Sequence, residues 1–339
     1  MRALVIDGVN QCVLQDIPRT EPGPGEVSIA VSHVGLCGSD LNTFRGANPL
    51  VKMPCIPGHE ISGSIFAVGP GVDPELAFGV NVVVMPYTSC GTCSSCRKGR
   101  TNACRNNRTL GVQQEGGLRE WLVVPADKVM VNRTLSLRRS ALVEPLAVGF
   151  HAAARGQISK GDRVVVLGCG IIGVGAILAA AGRGAEVIAV DVSGSKEATV
   201  RRLGASHFIN PSVSDLRATV RELTGGDGAD VVIEAVGVPE TFTDAIELAC
   251  YAGCVVYVGY SKNPVTYDTQ YFNLKELDIR GSRNATLQDF HDATRCIEKL
   301  GVDADLLISR VFPFHEAADA LPWWQGVRSE VFKVMVEQV

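Results

Sequence analysis

The chain has 339 residues, a formal net charge of −4 and a hydrophobic fraction of 46%. This length suggests about two domains, and the apolar content is ample for a sizeable core. The acidic balance argues against a nucleic-acid partner, which would favour a basic face. The sequence has no long apolar run and begins with a strand-like segment rather than a signal peptide. We therefore expect a cytoplasmic protein without a membrane span.

The N-terminal part is rich in Val, Gly and Pro and contains short alternating segments such as EVSIAVSHVGLC and GSIFAVG. This pattern predicts antiparallel strands joined by tight turns. The next segment, SALVEPLAVGFHAAARG, has the composition of a helix. It is followed by DRVVVLGCGIIGVGAILAAAGRGAEVIAVDVS, in which an apolar strand, a Gly-rich turn, an Ala-rich helix and a second strand succeed one another.

Similar units follow in GADVVIEAVG, GCVVYVGY and ELDIRGSRN. Strands that alternate with helices indicate a parallel sheet with helices on both faces. The C-terminal part adds a helix, LQDFHDATRCIEKLG, and ends with the strand-like FKVMVEQV. The sequence therefore predicts an α/β protein with a β-rich domain and a doubly wound parallel sheet.

A glycine motif marks a candidate dinucleotide site. Gly168, Gly170 and Gly173 form G-x-G-x-x-G between the strand RVVVL and the Ala-rich helix, which is the context that the motif requires. The first glycine permits a tight turn, the second lets the backbone approach a pyrophosphate, and the third allows close helix–strand packing. The helix N-terminus offers N–H groups to the phosphates. Alternatively, the glycines serve packing alone.

Asp191 closes the strand that follows this helix. A carboxylate there accepts hydrogen bonds from the ribose hydroxyls and repels a 2′-phosphate, although it could also simply cap a loop. No Arg follows within four positions, while Lys196 lies close, so we expect NAD rather than NADP. Ligands of parallel sheets bind beyond the carboxyl ends of the strands. Further cofactor contacts are therefore predicted within the glycine motif, after Asp191 and at the ends of later strands. They are Ile171, Ile172, Val192, Val236, Gly237, Val258, Gly259 and Ser282.

Four of the eleven cysteines, Cys90, Cys93, Cys96 and Cys104, fall within fifteen positions. A reducing compartment disfavours a disulfide framework. The compact thiolate set fits a tetrahedral zinc site without an open position, and such a metal would be structural. A redox pair and an iron–sulfur cluster are alternatives, because the close spacing also resembles cluster ligation.

A second candidate metal set is spread along the chain. Cys37, His59 and Glu144 could supply a thiolate, an imidazole and a carboxylate with a fourth position open, as in a catalytic zinc site, and Glu60 adjoins His59. Each residue also has a simpler interpretation, as a buried thiol, a satisfied core histidine or a helix-start carboxylate. Their spacing alone does not unite them.

The motifs GLCGSD, PGHEISGSIFAVG, EPLAV and VLGCGIIG, together with the four-cysteine segment, closely resemble the zinc-containing medium-chain dehydrogenases. The resemblance covers essentially the whole chain in the same order. It implies a GroES-like catalytic domain formed by residues 1–145 and 285–339, with a zinc lobe at about residues 88–107, and a Rossmann NAD-binding domain at residues 146–284. Substrate would bind in the cleft between them.

The resemblance also implies two zinc ions per chain. The catalytic zinc would be held by Cys37, His59 and Glu144, with Glu60 as an alternating ligand or a neighbouring carboxylate. The structural zinc would be held by the four lobe cysteines. Glutamate as the third ligand resembles the polyol branch of the family, and GSRNATLQDF resembles sugar-acid enzymes such as the L-galactonate and L-gulonate 5-dehydrogenases.

The implied reaction is zinc-assisted hydride transfer from a secondary alcohol of a polyol or sugar acid to NAD, or the reverse reduction of a ketone. Ser39 would accept the proton, and Arg283 with Asn284 would contact the substrate. Many relatives have His at the position of Asn42, which takes up no proton at neutral pH, and several sugar-acid relatives have His near Gln113.

Other interpretations stay open. The chain could be an L-threonine 3-dehydrogenase, a sorbitol- or galactitol-type polyol dehydrogenase, or a nucleotide-binding structural or sensory relative. Arg283 could form a domain-interface ion pair, and Arg45 and Arg119 are further substrate candidates for which surface positions are expected. The family resemblance and late strands such as VVYVGY, which could continue a sheet across a twofold axis, predict a homodimer or homotetramer.

Overall fold

The computed structural model describes residues 1–338, apart from the side chain of Arg328. The chain divides into two compact units. Unit 1 comprises Met1–Pro145 and the segment from Thr286 onward, and unit 2 comprises Leu146–Ala285. Within the described residues, no helix combines the length and apolar character needed to cross a membrane.

Strands dominate unit 1 and form the sheet of unit 2. In chain order the strands are β1 (Arg2–Gly8), β2 (Gln11–Asp16), β3 (Glu26–Leu36), β4 (Glu60–Val68), β5 (Asn81–Val84), β6 (Trp121–Pro125), β7 (Val129–Val131), β8 (Arg163–Leu167), β9 (Glu186–Val190), β10 (His207–Ile209), β11 (Ala229–Glu234), β12 (Ala249–Tyr257), β13 (Asp278–Gly281), β14 (Ile308–Pro313) and β15 (Lys333–Glu337).

The helices follow the same order: α1 (Gly38–Phe44), α2 (Ser94–Arg97), α3 (Leu137–Ser140), α4 (Val143–Gly156), α5 (Ile171–Gly182), α6 (Glu197–Arg202), α7 (Leu216–Leu223), α8 (Pro239–Leu248), α9 (Gln270–Leu274), α10 (Leu287–Leu300) and α11 (Ala317–Gly326). The predicted helix in LQDFHDATRCIEKLG is confirmed as α10. A capping box at its start, formed by Thr286 and Asp289, explains where this helix begins.

In the described part of unit 1, seven strands form one sheet. Its order is β14-β15-β3-β4-β5-β7, and β6 also pairs with β3. The pairs are antiparallel except for β14–β15, so the predicted antiparallel strands are confirmed. Buried apolar side chains of these strands, among them Ile29, Ile61 and Val334, form the core of the unit.

The N-terminal segment forms a hairpin of β1 and β2 rather than one alternating strand. Ala3–Ile6 are buried without interruption, whereas β2 is mostly exposed or half-buried. Asn10 turns the chain with a φ of 57°, the left-handed conformation that Asn tolerates better than most residues.

In the described part of unit 2, six strands form a parallel sheet in the order β10-β9-β8-β11-β12-β13. The chain runs from β8 outward to β10 and then from β11 to the opposite edge. The strand order therefore reverses between β8 and β11, which confirms the predicted doubly wound sheet. The continuous apolar runs are explained by burial, since Val165, Val232 and Val255 are fully buried.

The expectation that VVYVGY continues a sheet across a twofold axis is wrong. Its strand, β12, lies between β11 and β13, so its backbone groups are hydrogen-bonded on both sides. The predicted strand in ELDIRGSRN is confirmed as β13, which is an edge of this sheet. A strand with two partners cannot extend a sheet into another subunit, because only an edge strand has unpaired backbone groups.

Candidate metal centres and cofactor site

Two loops of unit 1 bring a thiol, an imidazole and a carboxylate together. Cys37 follows β3 and precedes α1, while His59 directly precedes Glu60 at the start of β4. The ligand atoms of these three residues lie within 4.8 Å of one another. The antiparallel pairing places Gly35 opposite Glu60, so the end of β3 meets the start of β4.

Asp40 fixes the positions of both loops. One carboxylate oxygen accepts a hydrogen bond from the Cys37 N–H at 2.8 Å, and the other accepts one from the Gly58 N–H at 3.3 Å. The carboxylate is buried. Asp40 was not among the predicted site residues, although its place three residues after Cys37 is that of a capping-box acid and could have identified it.

Glu60 pairs with a cation that the sequence analysis missed. Lys333 Nζ lies 2.6 Å from Glu60 Oε1 and donates to the Leu36 carbonyl at 2.8 Å. Both charged side chains are only 1% exposed. Glu60 Oε2 is buried without a hydrogen-bond partner in the described chain, and a Cβ on Gly35 would lie 2.0 Å from it. A lysine inside the apolar segment VFKVMV could have identified Lys333 as a buried charge.

Glu144 occupies the first turn of α4 and is buried. It lies outside the group of described residues whose ligand atoms are within 4.8 Å of one another. Its Oε1 accepts a hydrogen bond from the Tyr87 hydroxyl. The Tyr87 ring packs edge-on against Phe290, with ring centroids 6.4 Å apart. Tyr87 was also not predicted, and the local sequence PYTSC contains no pattern that would single it out.

The buried charges of this region perturb one another. Burial alone would lower the pKa of His59, but the charges of Cys37 and Asp40 outweigh it and raise this pKa well above its usual value. Burial raises the pKa of Glu144 to about 7, against the opposing effect of His59. Burial, with the charge of Glu144, also raises the pKa of Tyr87 well above its usual value.

These residues fit a zinc ion. Thiolate, imidazole and carboxylate are the donors that zinc prefers, and a dication would relieve the crowding of negative charge. His59 Nδ1, Glu60 Oε2 and Ser39 Oγ are buried without hydrogen-bond partners in the part of the chain that the structure describes. Buried polar atoms are normally satisfied, so unpaired atoms beside such a donor set indicate a bound group or a reactant.

The lobe cysteines form a second compact donor set. The sulfur atoms of Cys90, Cys93, Cys96 and Cys104 lie within 4.8 Å of one another. Cys104 Sγ accepts hydrogen bonds from the backbone N–H groups of Cys90 and Asn106, each at 3.3 Å. None of the cysteines in the described chain forms a disulfide. Four sulfur donors fit a tetrahedral zinc ion and leave no position open for a substrate.

In unit 2 the glycine motif lies where the strand order reverses. Gly168 follows β8 with a φ of 95°, and α5 begins at Ile171. A Cβ on Gly173 would lie 1.8 Å from the Gly168 carbonyl oxygen, so the third glycine is required by the close packing of helix and turn. A Cβ on Gly170 would meet no heavy atom within 4 Å, which leaves the backbone there accessible to a ligand.

Asp191 connects the glycine turn to the loop after β9. Its Oδ2 accepts a hydrogen bond from the Cys169 N–H at 2.8 Å, and its Oδ1 accepts one from the Ser193 N–H at 2.8 Å. Lys196 Nζ lies 3.2 Å from Asp191 Oδ2, and both side chains are largely buried. The structure thus places Asp191 and Lys196 in contact beside the motif.

The remaining predicted cofactor residues lie at the carboxyl end of the same sheet. Val236 and Gly237 follow β11, Val258 and Gly259 follow β12, and Ser282 follows β13; Ile171 and Ile172 open α5, and Val192 follows Asp191. A Cβ on Gly168 would lie 2.8 Å from Val236 Cγ2, so the glycine turn and the end of β11 are in contact.

Glu234 organises the end of β11 and was not predicted. Its Oε1 accepts hydrogen bonds from the N–H groups of Val236 at 2.8 Å and Gly237 at 2.7 Å, and from the Thr241 hydroxyl at 2.8 Å. Its side chain is fully buried. The acidic residue at the end of the apolar strand in VVIEAVG could have identified Glu234 from the sequence.

The candidate substrate arginines differ in their surroundings. Arg283 is exposed beyond the end of β13, and Asn284 follows it with a φ of 53°. Arg45 donates to the Gln325 side chain at an exposed position. Arg119 is half-buried rather than fully exposed at the surface. Its Nε donates to the Gly116 carbonyl at 2.9 Å, and its Nη2 is buried because the segment GGLREW packs against β1. Burial lowers the pKa of Arg119.

Comparison with known proteins identifies the family. Residues 23–133 match the alcohol dehydrogenase GroES-like domain, and residues 172–299 match the zinc-binding dehydrogenase domain. L-galactonate-5-dehydrogenase of Escherichia coli (strain K12) is 35% identical over 298 residues, which cover 88% of this chain and 87% of the relative. Sorbitol dehydrogenase of Bacillus subtilis (strain 168) is 31% identical over 346 residues, which cover 99% and 97%.

Among solved structures, the alcohol dehydrogenase RspB of E. coli CFT073, crystallised with NADH, matches with a TM-score of 0.92 and 30% identity over 99% of both chains. The predicted family and the predicted combination of a GroES-like domain with a Rossmann sheet are therefore confirmed. The chain belongs to the zinc-binding medium-chain dehydrogenases, in the branch of the polyol and sugar-acid dehydrogenases, and it is an alcohol dehydrogenase.

Proposed function

We propose that this enzyme oxidises a secondary alcohol of a sugar acid, of the L-galactonate or L-gulonate type, with NAD as the hydride acceptor. The observation that carries the proposal is the group of Cys37, His59 and Glu60 in unit 1, whose ligand atoms lie within 4.8 Å of one another. The buried Ser39 Oγ of the same unit has no hydrogen-bond partner within the described residues. The similarity to an L-galactonate dehydrogenase supports the sugar-acid assignment.

Cys37 and His59, together with Glu144 or Glu60, would hold the catalytic zinc. When bound, zinc supplies Lewis acidity that favours deprotonation of the substrate hydroxyl. The two carboxylates have different partners, since Glu60 is tied to Lys333 and Glu144 accepts from the Tyr87 hydroxyl. Lys333 and Tyr87 therefore each fix one oxygen of these carboxylates.

Ser39 is the proposed proton acceptor. Its hydroxyl is buried and lacks a hydrogen-bond partner within the described residues, so it is free to bond a substrate hydroxyl. Ser39 Oγ would take up the proton of the substrate hydroxyl while its own hydroxyl proton passes on to solvent. NAD, when bound, would supply the hydride acceptor for the carbinol hydrogen. Asn42 takes up no proton at neutral pH, so this route does not depend on it.

Unit 2 would bind NAD. The backbone at Gly170 is accessible for a pyrophosphate, and the start of α5 offers N–H groups to it. Asp191 would repel the 2′-phosphate of NADP, although Lys196 partly offsets its charge. The NADH complex of RspB supports the same cofactor choice. Catalytic zinc binding is thus assigned to unit 1 and NAD binding to unit 2.

We also infer a structural zinc on Cys90, Cys93, Cys96 and Cys104, which gives two zinc ions per chain. The free thiols of the described cysteines support a cytoplasmic location. A homodimer or homotetramer is proposed from the family, with β13 as the edge strand available for pairing between subunits.

A polyol dehydrogenase of the sorbitol type is the second candidate, because the relative from B. subtilis is similar over nearly the whole chain. The two candidates differ in whether the substrate has a carboxylate. We propose that Arg283 grips that carboxylate through two parallel hydrogen bonds, which a lysine ammonium cannot reproduce.

The test compares L-galactonate, L-gulonate, sorbitol, galactitol and L-threonine on the wild type, Arg283→Lys and the control Arg45→Lys. Arg283→Lys should raise KM for the hexonates at least about tenfold and leave the hexitols nearly unchanged, because one charge-assisted hydrogen bond is lost. An equal increase in KM for acids and polyols would show that Arg283 does not bind the substrate carboxylate. If the wild type acts on neutral polyols alone, the enzyme is a polyol dehydrogenase, and if it acts on L-threonine alone, it is an L-threonine dehydrogenase. Either result would rule out the sugar-acid assignment.

A further inference from the structure

The four-cysteine lobe is a basic segment of an acidic protein. Residues 88–107 contain Arg97, Lys98, Arg100 and Arg105 and no Asp or Glu, whereas the whole chain has a net charge of −4. All four cationic side chains are exposed. The lobe therefore carries a localised positive potential, although the chain as a whole is acidic.

Within the described residues, none of these four cations takes part in an ion pair. Exposed arginines elsewhere do, as Arg133 does with Glu75 and Arg217 with Asp244. Like charges held close together repel, and here no carboxylate of the lobe compensates them. A zinc ion with four thiolates would carry less negative charge than the four cations carry positive charge, so the zinc-loaded lobe remains cationic.

Two of the four cations line one pocket. Arg97 and Arg105 border a space of about 280 Å³ together with Thr92, Cys93, Ser94 and Asn106. No carboxylate lines it, and the side chains of Ser94 and Asn106 add a hydroxyl and an amide. Arg97 Nη1 donates to the Thr92 carbonyl, which orients its guanidinium at the wall of the pocket. This volume suits a small ion rather than a nucleotide.

We propose that this pocket binds a phosphate-type oxyanion, either free phosphate or a phosphate monoester. Guanidinium groups match the oxygens of phosphate and form paired, charge-assisted hydrogen bonds with them. Bound between Arg97 and Arg105, the anion offsets the charge repulsion of the lobe. Because it binds the folded lobe, it stabilises unit 1, and the stabilisation grows with the logarithm of its concentration once that concentration exceeds Kd. The pocket uses none of the residues assigned to alcohol oxidation.

The experiment uses the full zinc-loaded protein. Calorimetric titrations and thermal unfolding are measured in phosphate, sulfate and glycerol 3-phosphate, each against sodium chloride at equal ionic strength. Phosphate should bind saturably and raise the unfolding temperature above that in chloride. Tighter binding of glycerol 3-phosphate than of phosphate assigns the pocket to monoesters, and weaker binding assigns it to the free ion; either result supports an oxyanion site.

Variants separate a built pocket from general electrostatics. Arg105→Gln should weaken phosphate binding at least about tenfold, as expected for loss of a bidentate charged contact. Arg100→Gln removes the same charge from the same lobe outside the pocket, and it should weaken binding less than about threefold, because exposed charges are screened by salt. Zinc analysis confirms that each variant keeps its lobe metal. If Arg105→Gln loses zinc, Asn106→Asp takes its place, since a carboxylate in the pocket should abolish binding.

Two results would overturn the proposal. One is that phosphate stabilises the wild type no more than chloride does at equal ionic strength. The other is that Arg100→Gln weakens phosphate binding as much as Arg105→Gln, because the effect would then reflect the overall charge of the lobe and not the pocket.

Discussion

The buried pair between Lys333 and Glu60 offers the sharpest test of how the site is held together. We predict that Lys333→Met strongly destabilises unit 1. The pair is 1% exposed on both sides, with Nζ 2.6 Å from Glu60 Oε1. Removing one partner of a buried ion pair leaves an uncompensated charge and costs about 3–5 kcal/mol. The Leu36 carbonyl would also lose the donor that lies 2.8 Å away.

Tryptophan fluorescence isolates the relevant unit, because Trp121, Trp323 and Trp324 all lie in unit 1. This matters because a chain of two units need not unfold in one two-state transition. Urea unfolding of the zinc-loaded protein, followed by this fluorescence, gives the change in unfolding free energy. Zinc content is measured in parallel, since Glu60 adjoins His59 in the proposed metal site.

Two controls separate burial of charge from loss of a side chain. Arg133→Met breaks an exposed pair with Glu75 in the same unit and should cost no more than about 1 kcal/mol. The double variant Glu60→Gln/Lys333→Met removes both charges and should recover most of the loss. A change of less than about 1 kcal/mol for Lys333→Met, equal to that of the exposed pair, would refute the reasoning.

Three further predictions concern the metals, the cofactor and the proton. Cys93→Ser should halve the zinc content and lower the unfolding temperature, and unchanged metal content with unchanged stability would remove the structural zinc assignment. The wild type should prefer NAD over NADP at least about tenfold in kcat/KM, and Asp191→Asn should shrink that preference; equal efficiency in the wild type would show that Asp191 does not face the ribose. Ser39→Ala should lower kcat about 100-fold with little change in KM, whereas an unchanged pH–rate profile and kcat would exclude Ser39 as the proton acceptor.

Features encoded by neighbouring residues were predictable from the sequence. The glycine motif needs only a strand, a turn and a helix in succession, and β8, Gly168 and α5 supply them within one short segment. The lobe cysteines are similarly local, because fifteen positions bring all four sulfur atoms within reach of one ion. The doubly wound sheet followed from the alternation of apolar strands with helices.

Features that depend on chain topology were not predictable. Lys333 and Glu60 are 273 positions apart, and they meet only because β15 pairs with β3 and β3 pairs with β4. The strand in ELDIRGSRN was predicted and is confirmed as β13, but its place at the edge of the unit 2 sheet follows only from the strand order. Arg119 is half-buried because its segment packs against β1, and the charged residues in GGLREW do not indicate this packing.

The proposed function requires both the Cys37–His59 site and the NAD site for the oxidation of a secondary alcohol. The most direct measurement is NADH formation at 340 nm by the zinc-loaded protein, supplied with NAD and the five candidate substrates, before and after metal removal. We predict NADH with at least one sugar acid or polyol, loss of the activity when zinc is removed, and loss in Cys37→Ala. No NADH with any of the five substrates, or activity that is unchanged without zinc, would contradict the proposed function.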